Sequence, residues 1–307
     1  MQNSIQEKLH IKGKLVDFMS RTNHHTPIYK EGKGNFHLSY HLEMVSDSER
    51  VQRCKDAIDY YISNESVFCE LGCGTGIFSI YAAKKCEKVY AVEYDEEIIE
   101  IAKKNAEING VADRITFLHA NALEVDLPEK ADLIFCEMMS IWLVNEPQVP
   151  VMNHATQNLL REGGHVIPGK VINLGELGNV DYLFDGVELR TSIAEFTGVR
   201  PPRVATESRV ISTIDLYEQN EIQIRKSIEF QSLVKERLNC IRLFSIVVLA
   251  PGINFHSTDT LMPVTTTPLA SDLGVLPGDD IILDVKYTHR TSINDAIFIP
   301  RKRERHF

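Results

Sequence analysis

Two glutamates, Glu137 and Glu146, stand nine positions apart and bracket an apolar segment that holds the only tryptophan, Trp142. If that segment loops back, both carboxylates can face one cavity. Two anions in a partly buried site repel each other and favour a delocalised cation between them. A guanidinium meets that requirement, because its planar fork offers five donors and can bridge two carboxylates. A glutamate pair in a loop can equally be a solvated face, so the surroundings decide.

A second constellation lies upstream. Glu70-Leu71-Gly72-Cys73-Gly74-Thr75-Gly76 follows a short apolar run and precedes a helical stretch. Glycines let the chain turn sharply and let a ligand approach the backbone. The helix that follows presents N–H groups and a positive dipole end. Glu93 ends the next strand, where a carboxylate can accept hydrogen bonds from two ribose hydroxyls. Glu70, Gly72, Gly74, Gly76 and Glu93 are therefore candidates for holding a nucleoside cofactor. Asn121, just past the strand Ile115–His119, is assigned to the same ligand. The spacing is GxGxG, not the GxGxxG of dinucleotide folds, and no GK[ST] follows, which excludes a Walker A loop. The plain alternative is a glycine turn with a surface glutamate, and Cys73 reads as packing.

Strand, glycine loop, helix, strand and acid in series resemble the S-adenosylmethionine (SAM) site of class I methyltransferases. The [DN]PP[FY] motif of enzymes that methylate base amino groups is absent after the fourth strand. The segment found there resembles the double-glutamate loop of protein arginine methyltransferases, roughly S-E-x-M-G-x-x-L-x-x-E. Glu137, Met139, Leu143 and Glu146 fall in register, and Cys136 and Ser140 depart from it. His41-x-x-Met44-x-x-Asp47-x-x-Arg50 is similar to the helix that folds over SAM in that family.

The resemblance implies that Arg50 pairs with the methionine carboxylate of SAM and that Met44 and Met139 shape the methyl-transfer channel. It implies that Glu137 and Glu146 grip the acceptor. The family's Thr-His-Trp loop is missing. Its nearest stand-in, Phe255-His256-Ser257-Thr258, puts His256 forward for a proton relay with Asp47. The family's two tyrosines a turn apart before the His are also missing, and only Phe36 and Tyr40 are available. The implied acceptor is arginine in protein, with free arginine or another small guanidine beside it. A small amine or indole, RNA, or a SAM-binding scaffold without catalysis are the other readings. Family members dimerise through an arm in the β domain, and residues 179–222 are long enough to include one, so a homodimer is expected.

The elements that must position these residues follow from periodicity. Residues 1–66 read as helical with a loop from Thr22 to Asn35, and a helical period runs from His37 to Ile62. By the resemblance, they form a cap over the cofactor. Residues 67–167 alternate strand and helix, which implies a parallel sheet with helices on both faces. Residues 168–307 show strand alternation and read as an antiparallel sandwich or barrel for substrate and dimer contacts. The fold class is α/β, a Rossmann-like sheet followed by a β domain.

Basic residues number 33 and acidic residues 43, a net charge of −10 that disfavours nucleic acid and favours cationic acceptors. Six cysteines without CxxC spacing read as reduced core thiols, and no metal site is expected. No stretch approaches the roughly 18 apolar residues of a membrane span, and no signal peptide is recognised at Met1 to Lys14. The expected location is cytoplasmic. His10, His24, His25, His289 and the basic run Arg301 to Arg305 read as structural or solvent-exposed.

Overall fold

In the computed structural model, residues 44–195 and 200–303 are described. The first long element, α1 (Ser48–Tyr61), buries Arg50, Cys54, Ala57 and Ile58, a stripe at helical spacing. One member of that stripe is an arginine, so the helix carries a cation into the interior. The periodicity from His37 to Ile62 predicts one helix, but the chain breaks at Asp47. Its carboxylate accepts the Arg50 N–H at 3.2 Å and caps α1. His41, Phe36, Tyr40, His10, His24 and His25 lie outside the described residues.

The next segment supplies β1 (Val67–Leu71), α2 (Ile77–Ala83), β2 (Lys88–Glu93), α3 (Glu96–Ile108), β3 (Ile115–His119), β4 (Ala131–Cys136), α4 (Gln148–Asn158) and β5 (Leu160–Ile167). The five strands are parallel, in the order β3-β2-β1-β4-β5. Strands covered on both faces must be apolar throughout, which is why β1 and β2 bury almost every residue. Asp95 caps α3 by accepting the N–H groups of Glu97 and Ile98. Strand order reverses between β1 and β4, so a crevice opens beyond their carboxyl ends. The glycine loop follows one of these strands and Glu137 the other.

The chain then becomes antiparallel. Its strands are β6 (Lys170–Asn179), β7 (Leu183–Phe184), β8 (Val187–Glu188), β9 (Ile193–Ala194), β10 (Arg203–Val204), β11 (Arg209–Asp215), β12 (Gln223–Gln231), β13 (Glu236–Ala250), β14 (Ile253–His256), β15 (Thr265–Val275), β16 (Asp280–Thr288) and β17 (Ile297–Lys302). One sheet runs β10-β6-β13-β15-β9, with β11 on β6 and β14 on β13. A second runs β12-β16-β17. Leu177, Ile241, Leu243, Leu283 and Phe298 form the core of this part, and Trp142 joins them from the α/β segment. This is the expected class, a Rossmann-like sheet followed by an antiparallel β domain.

All six cysteines are buried and unpaired. No described helix is long and apolar enough to cross a membrane.

Candidate active site

The glycine loop turns in the left-handed region, with φ of +75° at Gly72, +52° at Gly74 and +88° at Gly76. The N–H groups of Gly72 and Cys73 both donate to the Val92 carbonyl at 2.9 Å, which pins the loop to the end of β2. A Cβ on Gly72 would come within 2.4 Å of Met138 Cε, so the loop passes directly against the residue after Glu137. Glu93 is held by three backbone donors: Gly74 at 2.9 Å, Tyr94 at 2.8 Å and Asp95 at 3.0 Å. Its carboxylate is thereby fixed at the carboxyl end of β2, half-buried at the crevice. Asn121 turns back on its own chain, its side-chain oxygen accepting the Leu123 N–H at 3.1 Å.

Glu70 differs from expectation. It is 3% exposed and points inward, not toward a ligand. It accepts the Ser79 N–H at 2.7 Å and the Ser79 hydroxyl, and so takes up a free donor of the first turn of α2 itself. Burial pushes its carboxyl up to about 8. The folded state therefore holds a proton that the unfolded chain has lost, and this term weakens folding as pH rises from the ordinary value of 4.5 toward about 8. Glu70→Gln is expected to remove that slope. Urea denaturation at several pH values, comparing wild type with variant, checks it; equal slopes would refute it.

Glu137 stands one residue beyond β4 and pairs with the guanidinium of Arg50 through Oε1, which also accepts the Met139 N–H at 3.3 Å. The Arg50 side chain is 4% exposed, and a cation that buried must meet an anion. Its Nη1 lies 3.9 Å from Met44 Sδ, and its guanidinium carbon lies 6.0 Å from the centre of the Phe255 ring. The Arg50 Nε–H is buried without a partner among the described residues.

Asp47 makes no hydrogen bond to His256, the residue expected to join it in a relay. One oxygen caps α1 and the other accepts the Leu261 N–H at 2.7 Å. Both accept from backbone, and Asp47 thereby ties the loop between β14 and β15 to the start of α1. His256 is exposed at the end of β14. Leu261, a residue whose type reveals nothing, fills the place expected for it.

The loop between the glutamates is strapped to the β domain residue by residue. Trp142 is fully buried, and its indole N–H is shared by the carbonyls of Leu174 at 3.1 Å and Phe244 at 3.2 Å. Asn173 donates to the Trp142 carbonyl at 3.4 Å and His289 Nδ1 to that of Leu143 at 2.8 Å. The Thr291 N–H reaches the Val144 carbonyl, and the Ile293 N–H the Asn145 side chain, each at 3.0 Å. Trp142 and Leu143 have φ of +52° and +57°, a conformation that residues with side chains adopt only when held. Ser140 Oγ closes the loop by accepting the N–H groups of Asn145 at 2.9 Å and Glu146 at 3.2 Å. Burial, and then neighbouring ionisable groups that include Glu146, pushes the Cys136 thiol up.

His289, Asn173 and Ser140 are thus positioning residues that motif spacing does not reveal. His289 is buried, and its burial holds the ring below the ordinary histidine range, in the neutral form that donates through Nδ1.

A parallel sheet in this order, a left-handed glycine loop after its first strand and a fixed acid after its second define a class I SAM-dependent methyltransferase. The methyltransferase domain family matches residues 68–164. An uncharacterized protein of Methanocaldococcus jannaschii is 30% identical over 232 residues, 75% of this chain and 85% of that protein. Protein arginine N-methyltransferase 1 of Saccharomyces cerevisiae is 37% identical over 154 residues, 48% of this chain and 43% of the yeast protein. Among solved structures, the Trypanosoma brucei PRMT1 enzyme-prozyme heterotetrameric complex with AdoHcy has a chain that superposes with a TM-score of 0.72 at 18% identity. The match covers 87% of this chain and 98% of that one. The chain is a class I SAM-dependent methyltransferase that is similar, over part of its length, to protein arginine methyltransferases.

The residues present fit SAM. The Nε–H of Arg50, buried without a partner among the described residues, offers a donor to a carboxylate, and Glu93 presents a fixed carboxylate at the end of β2.

Proposed function

We propose that this enzyme methylates a guanidinium nitrogen, with Glu137 and Glu146 holding the acceptor. The observation that supports this most is that Glu137 already binds one guanidinium, that of Arg50, at the carboxyl end of β4. That pair runs through Oε1, which leaves Oε2 as the oxygen assigned to the acceptor. Glu146 enters from the far end of a loop that the β domain holds rigid.

Bound SAM supplies a methyl group already activated by its sulfonium. The chain contributes alignment, which is the main requirement of an in-line displacement. Glu93 holds the ribose hydroxyls, Arg50 the carboxylate, and Met44 and Met139 line the approach. The glutamates fix which nitrogen faces the methyl and draw positive charge away from it.

Purified protein with SAM is to be screened against free arginine, small guanidines and an arginine-rich peptide, read by mass. A gain of one or more methyls on a guanidine is expected. Transfer only to RNA, amines or indoles would discard the assignment, and SAM binding without transfer to any acceptor would leave a scaffold.

Glu93→Ala is expected to weaken SAM binding about tenfold or more, the loss of hydrogen bonds to a charged acceptor. Calorimetry measures it, and unchanged affinity would remove Glu93 from the site.

The homodimer is proposed to form through the β7–β8 hairpin, which leaves Leu183, Phe184, Val187 and Leu189 exposed together. The double variant Leu183→Asp, Phe184→Asp is expected to be a folded monomer by light scattering. A dimer that survives it uses another face.

A further inference from the structure

We propose that Gln148 is a positioning residue that sets the direction of Glu137 by fixing the backbone on either side of it. The proposal rests on the reading that Glu137 grips the acceptor.

The need arises at the edge of β4. Its pairing with β5 ends at Phe135 opposite Ile167. The next residue on the β5 side is Pro168, which has no N–H, and the chain leaves for β6. From there on, nothing in β5 can receive the Cys136 carbonyl or the Met138 N–H. Gln148, the first residue of α4, takes both. Its Nε2 donates to the Cys136 carbonyl at 2.9 Å, and its Oε1 accepts the Met138 N–H at 2.7 Å. The Cys136 thiol donates to the same Oε1 at 3.6 Å. One side chain thus extends the ladder past the end of the sheet, and the residue it brackets is Glu137. Successive residues of extended chain point to opposite faces, so holding 136 and 138 directs 137 the other way, where its carboxylate meets Arg50 and the Met139 N–H.

The residue type supports the assignment. Gln148 is fully buried, beside Val149, Val151 and Met152 on a helix with an otherwise apolar inner face. A buried amide is costly unless each of its groups is satisfied. Both groups of this amide are satisfied, one by each of the backbone groups that flank Glu137.

The test compares wild type, Gln148→Leu and Gln148→Glu for SAM affinity, kcat and KM on the guanidine found in the screen, at several pH values. Gln148→Leu is expected to lower kcat about tenfold or more with SAM affinity within about twofold, the result of a misaimed carboxylate beside an intact cofactor site. Its rate relative to wild type should not vary with pH. In Gln148→Glu an ionised carboxylate repels the Cys136 carbonyl and a protonated one donates to it, so its relative rate should rise as pH falls. Glu70, Cys136, Glu137 and Glu146, the ionisable neighbours, are common to all three proteins, and the Gln148→Leu ratio reports their own contribution to the pH profile. A wild-type kcat in Gln148→Leu, or a flat ratio in Gln148→Glu, overturns the proposal. If Gln148→Leu does not fold, the Gln148→Glu ratio decides. If wild type methylates no guanidine, the acceptor reading fails, and a crystal structure of Gln148→Leu with S-adenosylhomocysteine decides positioning separately. Glu137 displaced from Arg50 supports it, and Glu137 unmoved refutes it.

Discussion

Glutamine in place of Glu137 or Glu146 is expected to lower the methyl-transfer rate by about two to three orders of magnitude, the usual effect of removing one preorganised charge from a reacting site. Glutamine keeps the shape and removes the anion. A guanidinium between one carboxylate and one amide loses a charge-assisted pair, about twice as strong as its neutral counterpart. Its positive charge is then less well drawn away from the attacking nitrogen. For Glu146→Gln, SAM affinity should stay within a few-fold. Glu137→Gln also strands Arg50, whose side chain is 4% exposed. Breaking a buried pair in this way costs roughly 3–5 kcal/mol of stability. Single-turnover rates on folded protein, with denaturation curves alongside, separate the two effects. Near-normal rates in both variants would eliminate the clamp.

Trp142→Ala is expected to cost about 3–5 kcal/mol, the range for truncating a buried large aromatic. The indole lies in the β-domain core, 5.6 Å from the Tyr287 ring and 6.0 Å from Phe298 between centroids. Its loss opens a cavity there and frees the loop between the glutamates, so the rate should fall with stability. Trp142→Phe keeps most of the volume and loses only the two carbonyl contacts, and should be milder on both counts. Urea unfolding with matched kinetics measures this. A Trp142→Ala protein of wild-type stability would mean that the strap contributes little.

Signals carried by neighbouring residues are legible in the sequence. The turn at Gly72 to Gly76 is a local matter of backbone freedom, and the α/β order follows from alternating period. The double-glutamate pattern is eleven residues long if counted from Cys136 to Glu146. The α1 boundary was missed because apolar spacing continues across Asp47, although an aspartate before Ser48-Glu49 is itself a capping signal.

What holds the site was illegible for a different reason. Trp142 meets Phe244 across 102 residues, Leu143 meets His289 across 146, and Asp47 meets Leu261 across 214. Most of these contacts use backbone groups, which every residue carries, so residue type gives no hint of them. His289 was legible only as structural, and only the fold reveals which structure it serves. An acid before a glycine loop can face either way, and the Ser79 donors that turn Glu70 inward lie nine residues further on. His256 was chosen by type, while the geometry required only an N–H.

In the proposed site, two anions receive a delocalised cation. This is tested most directly by titrating the S-adenosylhomocysteine complex with an arginine peptide and with its citrulline twin, which keeps the planar shape and loses the charge. Calorimetry should detect the arginine peptide and find no binding of the citrulline peptide, and Glu146→Gln should abolish the difference. Equal affinity for the two peptides would contradict the account.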